Sequence, residues 1–310
     1  MENRNNKTNY IITAGSAYLD IDAYACCIAM QDLLRLKGYD ATAYSNALYN
    51  YSICPALVAD GQMSCELPYN AELLDYIIAD VSDPEYIKGS VPLERVIEVY
   101  DHHVGYESFW QERIGENSHI EFIGAAATLI YREWEKSGLQ NQMSRSTALL
   151  MIAAILDNTL YLTSTNTTQE DMDVFNKLCK QASVDGQWCG WYFSEVQKSV
   201  ESDLRNALMN DIKTVRTNKI LPPRIAQLCI WDAESIFEQL SDIRKWLNSN
   251  DESWMVNLID IQKRCSYFIC DDIEYQKEIE KVFNVHFESG VAKTSDSYLR
   301  KEILKKVSSL

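Results

Sequence analysis

Short apolar runs alternate with longer stretches of helical periodicity through the first half of the chain. That alternation predicts a mostly parallel sheet flanked by helices. Tyr10-Ile-Ile-Thr-Ala14 reads as the first strand, and residues 23–37 carry apolar side chains at helical spacing up to Gly38, a natural helix stop. Residues 40–45, 76–79 and 96–100 read as further strands, the second of them ended by Asp80 and the breaker Asp83-Pro84. Residues 119–123 complete the strand series. Gly124 opens a helix through Trp134, residues 146–156 are apolar enough for a buried helix, and 169–181 form another.

The pattern is interrupted at Ala182-Ser-Val-Asp-Gly-Gln-Trp-Cys-Gly190. We therefore expect a first domain over 1–185, a linker over 186–192 and a second domain over 193–310. In the second, residues 193–210 read as a helix, followed by strands near 212–216, 224–231, 254–261 and 265–270 and helices at 233–247 and 273–283. At 310 residues the chain exceeds the comfortable size of one core, in keeping with two domains. The expected class is α/β, with a smaller C-terminal α/β domain and an active site in the cleft between the two. No internal repeat is visible.

Composition narrows the functions. The hydrophobic content of 46% is enough to build substantial cores, while 45 acidic against 29 basic residues leave a formal charge of -16. This acidity argues against general nucleic-acid or anionic-membrane binding. A polyanionic substrate would need a local positive site. No apolar run approaches a membrane span, and MENRNNKTNY lacks a signal-peptide pattern, so a soluble cytoplasmic protein without membrane contact is expected. Nine cysteines, an odd number without a CxxC pair, read as buried thiols rather than disulfides or zinc ligands.

Candidate chemistry sits at the ends of the apolar elements. Arg95-Val-Ile-Glu-Val-Tyr100 runs into Asp101-His102-His103, which holds two of the four histidines. Imidazoles beside a carboxylate suit a borderline divalent metal and proton handling, although the same residues could form a polar turn. Gly15-Ser-Ala-Tyr-Leu-Asp20-Ile-Asp22-Ala23 places two carboxylates at a strand-to-helix turn, where parallel sheets bind ligands. Taken alone, Asp20 is an ordinary N-cap and Asp22 a partner of the helix dipole. Asp80 ends another strand, and Asp157 follows an apolar run within Ile155-Leu-Asp-Asn-Thr159. Together these aspartates and His102 could hold two Mn²⁺, Mg²⁺ or Co²⁺ ions, which would activate water and neutralise phosphoryl charge.

The order of these pieces, with the helix entry Gly124-Ala-Ala-Ala-Thr128, resembles the DHH phosphoesterase superfamily. Asn210-Asp-Ile-Lys213, Pro223-Arg-Ile-Ala-Gln227 and Leu299-Arg-Lys-Glu302 resemble the DHHA2 type of C-terminal domain found in manganese-dependent inorganic pyrophosphatases, exopolyphosphatases and prune proteins. The resemblance implies two divalent metal ions, with manganese favoured, held by Asp20, Asp22, Asp80, His102 and Asp157. It implies that His103 faces the substrate phosphate with Asp101 orienting imidazole, and that Lys213, Arg300 and Lys301 bind terminal phosphates. Without it, Arg300, Lys301, Lys305 and Lys306 read as a solvated basic helix end, and Lys213 as a surface residue. One position departs from the pattern: Ser16 stands where the pyrophosphatases carry a metal-binding histidine.

The expected function is metal-dependent hydrolysis of a phosphoanhydride in a small polyanionic substrate, pyrophosphate or short polyphosphate. Two alternatives stand beside it: a phosphodiesterase acting on nucleotides or short oligonucleotides, and a catalytically weakened binding or regulatory relative. A homodimer is a candidate assembly.

Overall fold

The computed structural model describes residues 9–15, 19–58, 63–215, 219–249 and 252–308. The chain forms two compact units, Met1–Cys189 and Gly190–Leu310.

In the first unit the elements follow in the order β1 (Asn9–Thr13), α1 (Ile21–Leu36), β2 (Asp40–Ala43), β3 (Asp75–Ala79), α2 (Pro84–Ile87), β4 (Val96–Asp101), α3 (Glu107–Ile114), β5 (Ser118–Ile120), α4 (Ala126–Ser137), α5 (Arg145–Asn158) and α6 (Gln169–Ala182). The strands lie in the order β2-β1-β3-β4-β5, and every pair is parallel. The chain leaves β1 toward one side to make β2 and returns on the other side as β3. Such a reversal opens a crevice at the carboxyl ends of the strands, where α/β sheets take their ligands.

Side chains alternate across the sheet, as strand geometry requires. Ile11, Tyr76, Ile78 and Val99 point into a core with Ile87 of α2 and Trp110 of α3. The other face is covered by α1 and α4, with α5 packed on α1 and α6 on α5. Residues 150–156 of α5 are all buried, as their uninterrupted apolar character predicts. Cys26, Cys27, Cys54, Cys189, Cys265 and Cys270 are buried as expected, whereas Cys179 and Cys229 are half-buried and Cys65 is exposed.

The differences from expectation have local causes. The short α3 escapes a periodicity reading because Glu107, Glu112 and Arg113 break its apolar pattern. The strand expected over 119–123 is only Ser118–Ile120; after Glu121 N bonds Asp101 O at 3.1 Å, the chain turns and sends Ile123 toward His102.

The second unit is built from α7 (Gly186–Ser202, whose first turn lies in the first unit), α8 (Leu204–Asp211), β6 (Lys213–Thr214), β7 (Arg224–Ile230), α9 (Glu234–Phe237), α10 (Leu240–Leu247), β8 (Trp254–Asp260), β9 (Cys265–Ile269), α11 (Ile273–Phe283), β10 (Phe287–Glu288), β11 (Val291–Lys293) and α12 (Arg300–Ser308). Its sheet has the order β10-β11-β9-β8-β7-β6 and is mixed, with only β7 and β8 parallel. Residues 186–192, expected as a linker, are helical in α7. The helix expected over 193–210 is broken at Asp203, whose backbone leaves the helical region at φ -148°, ψ 55°. Part of the strand expected near 212–216 lies outside the described residues. Among the described residues, no helix is long and apolar enough to cross a membrane.

Trp134 joins α4 to α1: it is fully buried and its Nε1 donates to Ala29 O at 3.1 Å. Trp134→Ala is expected to lower the unfolding free energy by about 3–5 kcal/mol, read from urea titrations; a loss below about 1 kcal/mol would show that the layers do not depend on it.

Candidate metal centre

At the end of β3 the backbone of Asp80 enters the left-handed region with φ +60°, and its N–H donates to Tyr100 O at 2.7 Å. This conformation is uncommon for a residue with a Cβ, and aspartate is among the side chains that tolerate it. One strand along, the Asp101 carboxylate folds the turn that follows β4. Its Oδ1 accepts His102 N at 2.7 Å, His103 N at 3.1 Å and His103 Nδ1 at 2.8 Å.

The two imidazoles then part company. His102 Nδ1 lies 3.2 Å from Ile123 O. A carbonyl can only accept, so Nδ1 carries the proton and Nε2 presents a lone pair. That Nε2 stands 3.4 Å from Asp80 Oδ1, a buried oxygen with no hydrogen-bond donor. The His103 side chain is 58% exposed and its Nδ1 is 3.9 Å from the same oxygen. Below them, Trp110 Nε1 donates to Ser82 O at 2.6 Å, and Ser82 Oγ donates to His103 O at 3.3 Å.

From α1 come two more carboxylates. Asp20 is the N-cap of α1, its Oδ1 accepting Ala23 N at 3.0 Å. Asp22 is fully buried and reaches across to another helix: Oδ2 accepts Ala126 N at 2.8 Å and Oδ1 accepts Ala127 N at 2.9 Å. Ala125 offers α4 no side-chain cap, so Asp22 caps that helix from outside and sits at its positive end.

The electrostatics are those of crowded anions. Burial, reinforced by Asp20, pushes the Asp22 carboxyl up to about 7 despite the Ala127 and Ala126 amides. Burial, reinforced by Asp22, Asp20 and Asp101, pushes Asp80 well above the usual carboxylate range. Burial also opposes the charge on Asp101, but the hydrogen bond and positive charge of His103 outweigh it and hold that carboxyl below its usual value. Among the described residues no lysine or arginine pairs with Asp22 or Asp80. Ligand atoms of Asp80, His102 and His103 all lie within 4.8 Å of one another. An orphaned carboxylate oxygen facing an imidazole lone pair, with further carboxylates beside it, fits a divalent cation that takes oxygen and nitrogen ligands.

Asp157 is half-buried in the last turn of α5. The chain after it runs through three successive left-handed residues, Leu160, Tyr161 and Leu162. Such strain gathers at functional sites. Ser16 lies outside the described residues. In the second unit Lys213 is exposed on β6 and Lys301 is exposed in the first turn of α12. Arg300 is only 11% exposed: its Nη1 donates to Asp211 Oδ2 at 2.5 Å and to Asp211 O at 2.9 Å. Sequence reasoning missed the Ile123 carbonyl, the amides of Ala126 and Ala127, and Asp171, which binds Gly124 N. The helix entry Gly124-Ala-Ala-Ala-Thr128 and the Thr168-x-x-Asp171 spacing, a capping-box pattern, are the signals that mark them.

No family model matches the chain. It is 23% identical over 292 residues to the manganese-dependent inorganic pyrophosphatase of Bacillus subtilis, covering 91% of this chain and 92% of the relative. Among solved structures, a Methanococcus jannaschii protein assigned to the family II inorganic pyrophosphatases aligns over 97% of this chain and 100% of its own, with a TM-score of 0.66 and 18% identity. An exopolyphosphatase-related protein of Bacteroides fragilis aligns over 98% of this chain and 91% of its own, with a TM-score of 0.51 and 12% identity. Fold and geometry together thus define a two-unit α/β protein with a candidate metal centre at the carboxyl ends of a parallel sheet. The chain is similar, at low identity, to the manganese-dependent inorganic pyrophosphatases across nearly its whole length.

A carboxyl whose pKa is raised by folding contributes stability that is intact below its unfolded value near 4 and lost as pH climbs through its folded value. For Asp22 that window runs from about 4 to about 7. A bound cation removes the penalty. Saturating Mn²⁺ is therefore expected to raise the melting temperature several degrees more near pH 7.5 than near pH 5, measured by scanning fluorimetry. An equal or smaller rise at the higher pH would count against these carboxylates as the seat of binding.

Proposed function

We propose that this chain hydrolyses phosphoanhydride bonds with the help of divalent metal, and that its substrate is pyrophosphate or a short polyphosphate. The observation that carries the reading is the buried, donorless Asp80 Oδ1 facing His102 Nε2, at the carboxyl ends of β3 and β4, beside the sheet's reversal. The similarity to the B. subtilis enzyme supports the substrate.

Asp20, Asp22, Asp80, His102 and Asp157 would hold the metal, two ions with Mn²⁺ favoured. Bound there, the ions supply Lewis acidity toward phosphoryl oxygens and make water a better nucleophile. The protein's own part is orientation and proton handling. His102, with Nδ1 tied to Ile123 O, keeps its Nε2 lone pair directed at Asp80. His103, with Nδ1 tied to the ionised Asp101, hands a proton from Nε2 to the departing phosphate oxygen, and Asp101 stabilises the imidazolium that precedes the transfer. Lys213, Arg300 and Lys301 give a chain of net charge -16 the local positive site that a polyanion needs.

In this reading 1–185 is the catalytic domain and 193–310 a DHHA2-type substrate domain joined to it by 186–192. The enzyme acts in the cytoplasm on small phosphates, does not bind nucleic acid generally, and has a homodimer as its candidate assembly.

Phosphate release from pyrophosphate, tripolyphosphate and dinucleotides, each with Mn²⁺, Mg²⁺ or Co²⁺, tests the proposal. Turnover of pyrophosphate or tripolyphosphate with Mn²⁺ is expected, reduced at least about 100-fold in His102→Ala. Lys213→Met and Lys301→Met should raise KM about 10-fold while leaving Mn²⁺ affinity alone. Cleavage of dinucleotides without release from either anhydride would overturn the reading.

A further inference from the structure

The peptide between Ile123 and Gly124 is held at both ends. Its carbonyl accepts His102 Nδ1 at 3.2 Å, and its N–H donates to Asp171 Oδ2 at 2.9 Å. Asp171, from the first turn of α6, is wholly buried. It accepts three further bonds: Thr168 N and Thr168 Oγ1 to Oδ2, each at 2.8 Å, and Thr128 Oγ1 to Oδ1 at 2.6 Å. The bonds to Thr168 make an ordinary capping box and would suffice for α6. Those to Gly124 and Thr128 leave the helix and seize the loop that enters α4.

That loop and the first turn of α4 carry the anchors of two proposed ligands. Ile123 O holds the His102 ring, and the amides of Ala126 and Ala127 hold Asp22. The fit at Gly124 is too close for a side chain, since a Cβ there would lie 2.6 Å from Asp171 Oδ2 and 2.7 Å from Thr159 Cγ2. Peptide resonance links the two ends of the unit electronically as well as mechanically. A carboxylate on the N–H makes the carbonyl a better acceptor, with hydrogen bonds in such a chain strengthened by about 10–30%. The imidazole bonded to that carbonyl becomes a better donor at Nε2.

We infer that Asp171 is a positioning residue for the metal centre, orienting His102 through the Ile123–Gly124 peptide and fixing the start of α4 against which Asp22 is held. The inference rests on the proposed role of His102 as a metal ligand. It adds a carboxylate, peptide and imidazole in series, reaching the centre from an element that contributes no ligand.

Two measurements on the full chain test it: Mn²⁺ affinity, from the free-ion electron paramagnetic resonance signal, and the Nδ1–H resonance of His102 in ¹⁵N-histidine-labelled protein. Asp171→Asn keeps the shape but weakens the acceptor. It is expected to lower Mn²⁺ affinity about 10-fold and to shift the His102 Nδ1–H signal. Thr168→Ala, which removes only the cap of α6, should lower the melting temperature while keeping affinity within about 2-fold. Thr128→Val, which leaves the Gly124 bond in place, should lower affinity by about 3-fold and serves if Asp171→Asn does not fold. Unchanged affinity and an unmoved resonance in Asp171→Asn would overturn the inference while loss of binding in His102→Ala upheld the metal site. Equal losses in Asp171→Asn and Thr168→Ala would reduce Asp171 to a helix cap, and absence of Mn²⁺ binding by the unmodified chain would bring down both readings.

Discussion

Two buried carboxylates that no lysine or arginine among the described residues pairs with set the terms for the first unit. An ionised carboxylate moved out of water loses several kcal/mol even after relaxation, and neighbouring carboxylates add to the cost, Asp20 at Asp22 and both Asp22 and Asp20 at Asp80. The fold answers with partial charges rather than full ones. Asp22 takes two amides at the open end of α4, and Asp80 faces an imidazole whose proton has been placed on the far nitrogen. The residual demand for positive charge suits the site to a cation. The parallel strand order serves the same end, because beside the reversal between β1 and β3 a strand end, a helix start and the neighbouring turn converge.

Much of this was legible along the chain because the informative features were local. An apolar run followed by an aspartate marks a strand end whatever the strand's neighbours are, and the paired histidines announced themselves by position. Both plain readings of the aspartates also proved physically real, without competing with a site. Asp20 does cap α1, and Asp22 does sit on a helix dipole, but that dipole belongs to α4, 104 residues away in the bond to Ala126. A side chain can satisfy a helix and still turn remaining lone pairs toward a ligand.

What stayed hidden depends on long-range pairing or on backbone groups, which have no identity in a sequence. The Ile123 carbonyl is chemically any carbonyl until the turn after β5 carries it to His102. Asp171 looks like half of a capping box, and its bond to Gly124 spans 47 residues. The breaks in the helices of the second unit and the polar α3 were missed for a related reason: their ends are set by tertiary packing, which overrides weak local preferences.

His102 and His103 show how far neighbours can diverge once each nitrogen is accounted for. Both rings have Nδ1 committed to an oxygen, yet a carbonyl and a carboxylate do different things to an imidazole. The Ile123 carbonyl fixes orientation without adding charge, and the ring it holds is almost entirely out of solvent, so a neutral lone pair at Nε2 suits a cation. The Asp101 carboxylate favours a protonated ring, and His103 is 58% exposed, where a proton can be exchanged with substrate or water. The difference in partners, rather than in residue type, is therefore what separates the ligation proposed for His102 from the proton transfer proposed for His103. It follows that the Asp101 carboxylate, which builds the turn through both backbone amides, also sets its oxygen against the His103 ring rather than the His102 ring.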